Sequence, residues 1–148
     1  MLKVRCQAPA TLDAKGRLAL PAPLRRALGR REIDSLVLSF HKGAVWGWTP
    51  EDFERTVERP MAERDPFSDD VMDFVHALLA PAQDVDIDGS GRIRVPAPLR
   101  ELAGLGREVV VNSVLERIEI WDRGAWEERF KASLARASGA SGMPGSRG

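Results

Sequence analysis

An internal repeat is the feature that most constrains how this chain folds. Residues 12–25, LDAKGRLALPAPLR, align without gaps to residues 87–100, IDGSGRIRVPAPLR, and eight of the fourteen positions are identical. Chance would give about one identity in a window of this length. The similarity resumes downstream at three further pairs: Trp48/Trp121, Phe53/Trp126 and Glu54/Glu127. The 148 residues therefore contain two copies of one unit.

The spacing divides the chain into a first repeat over residues 1–59, a connector over 60–81, a second repeat over 82–135 and a tail over 136–148. A unit of about 50 residues is short of the size that buries a core by itself. We therefore expect the repeats to pack together as a pseudo-dimer within one chain. The tail is rich in glycine and serine, which predicts disorder.

The pattern within each repeat predicts an α+β fold. A strand leads into an Asp-x-x-Gly-Arg turn, a second strand, a proline-initiated short helix, a hairpin and a final helix. Thr49 and Asp122 are predicted to cap the final helices, and Gly29 and Gly104 to end the short ones. The connector has an apolar stripe at helical spacing, formed by Val71, Met72, Phe74, Val75, Leu78 and Leu79. We expect a connector helix, packed either on the pseudo-dimer or against another subunit.

Charge is distributed unevenly although the net charge is zero. Residues 1–31 contain eight basic residues and one acidic residue, whereas residues 51–76 contain nine acidic and three basic residues. Such asymmetry indicates a polyanionic partner for one face of the protein.

The first Asp-x-x-Gly-Arg turn is the leading candidate site. Its arginine, Arg17, projects a planar fork of donors that suits phosphate or a guanine edge, and Asp13 can orient that fork. Lys15 and the basic surroundings favour DNA contact for Arg17. For Arg92 we favour an Asp–Arg pair that only locks its hairpin, because its surroundings are electrically neutral.

Two arginines near the end of the first short helix extend this candidate set. Arg26 has no basic counterpart in the second repeat, which favours a phosphate contact. Arg25 recurs as Arg100, so a structural role competes with a DNA contact there. The four tryptophans are better explained by core packing than by base stacking.

Other classes of protein fit the sequence poorly. It has no recognisable catalytic motif, and its single cysteine excludes an internal disulfide or a cysteine-rich metal site, so we expect a non-enzyme without cofactor or metal. The sequence has neither an apolar membrane span nor a signal-peptide core at its N-terminus, and we expect no membrane association.

The sequence resembles the MraZ family of bacterial proteins with paired SpoVT/AbrB-type domains. The matching motifs are LDAKGRLALP at 12–21, DGSGRIRVP at 88–96 and RIEIWD at 117–122. The resemblance implies two tandem AbrB-like swapped-hairpin β-barrel units in one pseudo-dimer. It also implies a homo-oligomeric ring that binds double-stranded DNA in the cytoplasm, associated with the nucleoid.

The resemblance further implies a sequence-specific transcriptional regulator, usually a repressor. Its target would be direct repeats at the promoter of the division and cell-wall gene cluster. The family's DNA-contacting arginine falls on Arg17 with Lys15 beside it, and an AbrB-type arginine pair falls on Arg25 and Arg26. Two alternatives remain open: a non-catalytic structural ring protein, and an AbrB-type antidote of a toxin–antitoxin pair.

Overall fold

The computed structural model describes residues 1–139, which form an α+β fold as predicted. The strands are β1 (Cys6–Thr11), β2 (Arg17–Ala19), β3 (Ser35–His41), β4 (Ala44–Trp48), β5 (Gln83–Asp86), β6 (Arg92–Arg94), β7 (Glu108–Val114) and β8 (Arg117–Asp122).

Five helical segments connect or follow these strands in the described residues. They are α1 (Ala22–Arg30), α2 (residues 50–62), α3 (residues 69–79), α4 (Ala97–Leu102) and α5 (Arg123–Gly139). Two of them contain a wider turn with π-helical hydrogen bonding, Glu54–Glu58 in α2 and Val75–Leu79 in α3. No helix within residues 1–139 is both long enough and apolar enough to cross a membrane.

Six strands form one antiparallel sheet in the order β1-β7-β8-β4-β3-β5. Strands β1, β3 and β4 of the first repeat correspond to β5, β7 and β8 of the second. Exchanging each strand for its counterpart reverses this order, so the sheet has a pseudo-two-fold axis between β8 and β4. The first strand of each repeat pairs with the hairpin of the other, β1 with β7 and β5 with β3. The remaining two strands, β2 and β6, pair with each other in a separate ribbon. The repeats are therefore interleaved rather than merely adjacent.

Both repeats contribute to one main core. Leu18 and Ile93 lie opposite each other in the β2–β6 ribbon and are almost completely buried. The short helices add Leu24 and Leu99, which are fully buried. Since these residues come in equivalent pairs from the two repeats, each repeat completes the core of the other.

A smaller core belongs to the first repeat and the connector. Helices α2 and α3 cover the hairpin β3–β4, and the buried side chains there are Val37, Trp48, Phe53, Val57 and Leu78. The hydroxyl of Ser39 donates a 2.6 Å hydrogen bond to the carbonyl of Leu78. Val71 and Leu78 of the connector's apolar stripe are thus buried against the rest of the chain, whereas Met72 is 39% exposed.

Two predicted boundaries differ from the structure. Helix α2 runs on to Ala62 and residues 63–68 form a turn, so the connector at 60–81 is not one helix. Helix α5 extends to Gly139, so residues 136–139 are helical, contrary to the expected disorder. The alanine-rich end of α5 has high helix propensity, which explains its length. The rest of the predicted tail, residues 140–148, lies outside the described residues.

Candidate nucleic-acid interface

The first Asp-x-x-Gly-Arg turn is built around the carboxylate of Asp13. Its Oδ1 accepts hydrogen bonds from the backbone N–H groups of Lys15 and Arg17, at 2.9 and 2.8 Å. Its Oδ2 accepts a 2.7 Å hydrogen bond from Nε of Arg17. Gly16 adopts a φ of 81°, which an L side chain rarely tolerates. One carboxylate therefore closes the turn and holds the arginine.

The second turn repeats this arrangement. Asp88 accepts from the backbone N–H groups of Ser90 and Arg92 at 2.8 and 2.9 Å, and from Nε of Arg92 at 3.1 Å. Gly91 has a φ of 76°. The lock predicted for Arg92 is present, and Arg17 has the same lock. Local geometry alone therefore does not distinguish the two arginines.

The charge state of these turns follows from their hydrogen bonds. The backbone N–H of Arg17, followed by its guanidinium, lowers the pKa of Asp13 to about 2. The backbone N–H of Arg92 leads the effects that lower the pKa of Asp88. Both carboxylates are consequently ionised at neutral pH, and each accepts a charge-assisted hydrogen bond from its arginine.

The β2–β6 ribbon brings the two turns onto one surface. Arg17 lies opposite Arg94, and Arg92 lies opposite Ala19. Leu18 and Ile93 point into the core, so their arginine neighbours are exposed on the other side. Nε of Arg94 donates a 3.0 Å hydrogen bond to the backbone carbonyl of Lys15. We call the surface formed by Lys15, Arg17, Arg92 and Arg94 the arginine ribbon.

The electrostatics of the arginine ribbon favour an anion. Four cations lie close together, and the only carboxylates bonded to them within residues 1–139 are Asp13 and Asp88. Like charges that face each other across two strands are destabilising. The side chains of Arg17 and Arg92 are 44% and 45% exposed. Because only Nε of each is bonded to its aspartate, the terminal nitrogens remain available to an external acceptor.

Arg25 contacts the turn of the opposite repeat. A Cβ on Gly91 would lie 2.1 Å from Cδ of Arg25, so the turn and the side chain are in close contact. The counterpart Arg100 packs on Gly16 in the same way and donates a 3.0 Å hydrogen bond to the carbonyl of Val95. The arginine conserved between the repeats therefore positions the neighbouring turn.

Arg26 faces a different feature. It is exposed and lines a cleft of about 1230 Å³ together with Arg30 and the N-terminal residues Lys3 and Arg5. The structure therefore brings Asp13, Lys15 and Arg17 together and places Arg25 at the second turn. It assigns Arg26 to the cleft.

Comparison with known proteins identifies the family. A family model described as "MraZ protein, putative antitoxin-like" matches residues 8–73 and 78–141, one match for each repeat. A protein of Paenarthrobacter aurescens is 38% identical over 86% of this chain and 86% of its own length. A protein of Nitrosomonas eutropha is 32% identical over the same shares of both chains, and one of Acetivibrio thermocellus is 36% identical over 79% of each. All three are named "Transcriptional regulator MraZ".

The chain belongs to the MraZ family. The resemblance seen in the sequence is thus confirmed, and both repeats are included in the match.

In this MraZ-family chain, sequence reasoning overlooked Arg94. Its repeat counterpart is Ala19, so comparison of the repeats gave it no weight. The alternation Arg92-Ile93-Arg94 was the available signal, because residues two apart in a strand share a face. Once Ile93 is buried, Arg92 and Arg94 must both be exposed.

Two of the four tryptophans of this MraZ-family chain are buried as predicted, and Trp46 and Trp126 are only half-buried. Trp48 and Trp121 are 4% and 5% exposed and belong to equivalent strands. Trp46 is half-buried, with the guanidinium of Arg117 4.0 Å from its ring centroid. Within residues 1–139, no three His, Cys, Asp or Glu side chains cluster to hold a metal ion.

Proposed function

We propose that this chain is a DNA-binding transcriptional regulator that contacts double-stranded DNA through the arginine ribbon. The observation that carries the proposal is the pairing of Arg17 with Arg94 on an exposed two-stranded ribbon. A β-ribbon is narrow enough to enter the major groove, where arginine reads guanine O6 and N7. The names of the relatives agree with this function.

Each residue of the candidate set has a defined role in this proposal. Arg17 is the principal contact and Lys15 binds phosphate beside it, with Arg94 and Arg92 continuing the contact across the ribbon. Asp13 orients Arg17 without touching DNA. Arg25 positions the second turn and offers its exposed guanidinium to phosphate. A phosphate contact by Arg26 requires DNA to extend past α1 to the cleft.

The finer points of the proposal rest on the family resemblance. They are sequence-specific binding to direct repeats, repression at the promoter of the division and cell-wall gene cluster, and a cytoplasmic location at the nucleoid. They also include swapped-hairpin β-barrel units assembled into a homo-oligomeric ring. A ring on tandem DNA repeats raises affinity through multivalency, so each protomer needs only a few contacts.

The test is a salt titration of binding to the chain's own upstream DNA and to a scrambled duplex. Fluorescence anisotropy is measured for wild type, Arg17→Ala and the matched control Arg31→Ala, an exposed arginine outside the ribbon. If each protomer neutralises about three phosphates, the slope of log K against log salt is about −2.7 per protomer. We expect Arg17→Ala to lose about 1–3 kcal/mol on the specific duplex and most of its preference over the scrambled one.

The control variant should bind like wild type. Equal and weak binding of wild type to both duplexes would contradict sequence-specific regulation. It would favour the alternative of a structural ring protein with a merely basic patch.

The family description also contains the word antitoxin-like, which makes an antidote of a toxin–antitoxin pair the second candidate. An antidote holds its toxin in a stable complex. Purification of the tagged chain from its native host, followed by mass spectrometry, should then yield one small protein in equimolar amount. Recovery of the chain alone would contradict this candidate.

A further inference from the structure

The cleft that contains Arg26 has an unusual concentration of unpaired positive charge. Lys3, Arg5, Arg26 and Arg30 line it and are exposed, and none of them forms an ion pair within residues 1–139. Their cations converge from the N-terminal segment and from α1. We call this feature the cationic cleft.

Another part of the cationic cleft is apolar. Trp46 and Phe74 line it and are half-buried, and Val57 and Leu78 lie behind them in the smaller core. Leu115 stands at the rim, 74% exposed and with a φ of 52°. A bulky side chain in this left-handed conformation is strained. The cleft therefore suits a ligand with both an aromatic group and negative charge.

The segment between α2 and α3 has these properties. Phe67 is 92% exposed. Glu63, Asp65, Asp69 and Asp70 flank it, with Arg64 as the only basic residue, and none of the four carboxylates is in an ion pair within residues 1–139. Asp65 accepts a 3.0 Å hydrogen bond from the backbone N–H of Phe67, which holds the turn in shape. We call residues 63–70, which comprise the turn and the first two residues of α3, the Phe67 loop.

We propose that the Phe67 loop of one protomer docks in the cationic cleft of a second protomer. The phenyl ring packs against Trp46 and Phe74, and the carboxylates pair with the cations of the cleft. The inference rests on the self-association in the proposed function and assigns the two surfaces that make it. Because the surfaces differ, the contact is head-to-tail, the type that closes into rings.

Several observations favour a second protomer over a small organic anion. Unpaired carboxylates of the loop match Lys3, Arg5 and Arg30, the unpaired cations of the cleft that lie outside the proposed DNA-binding set. Phe67 does not occupy the cleft of its own chain, because it is almost fully exposed in the single chain. An aromatic side chain buried near the centre of an interface commonly contributes much of the binding energy.

The test uses charge exchange between the two surfaces of the full chain. The cleft variant carries Lys3→Glu, Arg5→Glu and Arg30→Glu, and the loop variant carries Glu63→Lys, Asp69→Lys and Asp70→Lys. Arg26 is unchanged because it belongs to the proposed DNA-binding set, and Asp65 is unchanged because it shapes the loop. Arg31→Glu is the matched control on the same helix end. Light scattering after size-exclusion chromatography, without DNA, gives the mass of each assembly.

We expect wild type and the control to form the same oligomer, and each triple variant to be monomeric. An equimolar mixture of the two triple variants should recover the oligomer, because each then supplies the charge that the other needs. Phe67→Ser, at a site too exposed to affect folding, should weaken association by about tenfold or more. Circular dichroism verifies that every variant is folded.

Oligomers that persist in both triple variants, or a mixture that stays monomeric, would overturn the assignment of the surfaces. A wild-type chain that is monomeric at all concentrations would overturn self-association itself. Neither result depends on DNA binding, which is measured separately with Arg17→Ala.

Discussion

At the scale of single residues, the two turn aspartates determine how the arginine ribbon is presented. Each carboxylate receives two backbone N–H groups and one guanidinium, so the arginine is held in place before any ligand arrives. Pre-ordering a long side chain lowers the entropic cost of binding. The same pair that stabilises the hairpin therefore prepares the contact.

The pKa of Asp13 tests this arrangement. We expect its carboxyl carbon to titrate in an NMR experiment with a midpoint of about 2 rather than 3.8. In Arg17→Ala the midpoint should rise only in part, since the backbone N–H groups of residues 15 and 17 still bind the carboxylate. Because the pKa is depressed, this contribution to stability is present above about pH 4 and is lost as the pH falls towards 2. A wild-type midpoint near 3.8 would contradict the geometry.

The two turn glycines provide a second test at this scale. Both have positive φ, so an alanine at either position costs about 1–3 kcal/mol of unfolding free energy. At Gly16 the added Cβ would also lie 2.8 Å from the backbone carbonyl oxygen of Val95. A backbone atom cannot move aside as a flexible side chain can. At Gly91 the added Cβ meets Cδ and Cγ of Arg25 at 2.1 and 2.8 Å, so the alanine fits only if the Arg25 side chain leaves the turn.

We therefore expect Gly16→Ala to destabilise more than Gly91→Ala in urea unfolding. Arg25→Ala should relieve part of the cost of Gly91→Ala and none of the cost of Gly16→Ala. Equal costs with no coupling to Arg25 would show that the close contacts do not contribute.

At the scale of elements, a buried carboxylate connects three parts of the chain. Asp52 in α2 is fully buried and accepts a 2.9 Å hydrogen bond from the backbone N–H of Leu2. Arg55 bridges Asp52 at 2.7 Å and Glu116 at 2.9 Å. Since Glu116 is in the turn between β7 and β8, the network joins the N-terminal segment and α2 to the hairpin of the second repeat.

Asp52→Asn should therefore lower the unfolding free energy by about 1.5–3 kcal/mol, the value of a hydrogen bond to a charged group. Burial by itself would raise the pKa of Asp52, but the hydrogen bonds from Leu2 and Arg55 more than offset it and the pKa is lowered. This part of the stability is thus present above about pH 4 and is lost as the pH falls below it. Thermal melts should show that the difference between wild type and the variant narrows in acid. A constant difference from neutral to acid pH would exclude an ionised Asp52.

At the scale of the whole molecule, interleaving makes the two repeats interdependent. Within residues 1–81, β1 lacks its partner β7 and β3 lacks its partner β5. Unpaired edges and half of a core are insufficient for a stable fold. We expect fragment 1–81 to form no folded monomer, and co-expression with fragment 82–139 to restore the native circular dichroism spectrum. A cooperative melt of monomeric 1–81 would contradict this expectation.

The arginine ribbon and the cationic cleft are formed by different residues, and their effects should separate. We expect Arg17→Ala to reduce DNA affinity while the oligomer mass stays unchanged. Phe67→Ser should reduce the oligomer mass while a monomer still prefers the specific duplex, with lower apparent affinity because multivalency is lost. If Arg17→Ala also dissolved the oligomer, the two surfaces would not be independent.

Much of the local structure could be predicted from residues close together in the chain. Asp and Gly at fixed spacing determine the turns, and the Thr49 hydroxyl caps α2 by accepting from the N–H of Asp52 at 3.1 Å. Gly104 has the predicted positive φ, but α1 continues past Gly29 and Glu32 takes that conformation instead. The residue at which a helix ends depends on how the following chain packs, and the helix propensities of single residues do not include that packing.

The sequence by itself determined that there are two repeats, that they are α+β, and that Asp13, Lys15 and Arg17 form one unit, because all of these depend on short-range spacing. Only the tertiary structure decided that Arg94 lies opposite Arg17, that Arg25 belongs to the second turn and that Arg26 belongs to a cleft. These relations depend on the pairing of β2 with β6 across the pseudo-two-fold axis. Strand register across 75 residues is set by burial of both repeats together, and no local pattern in either repeat specifies it.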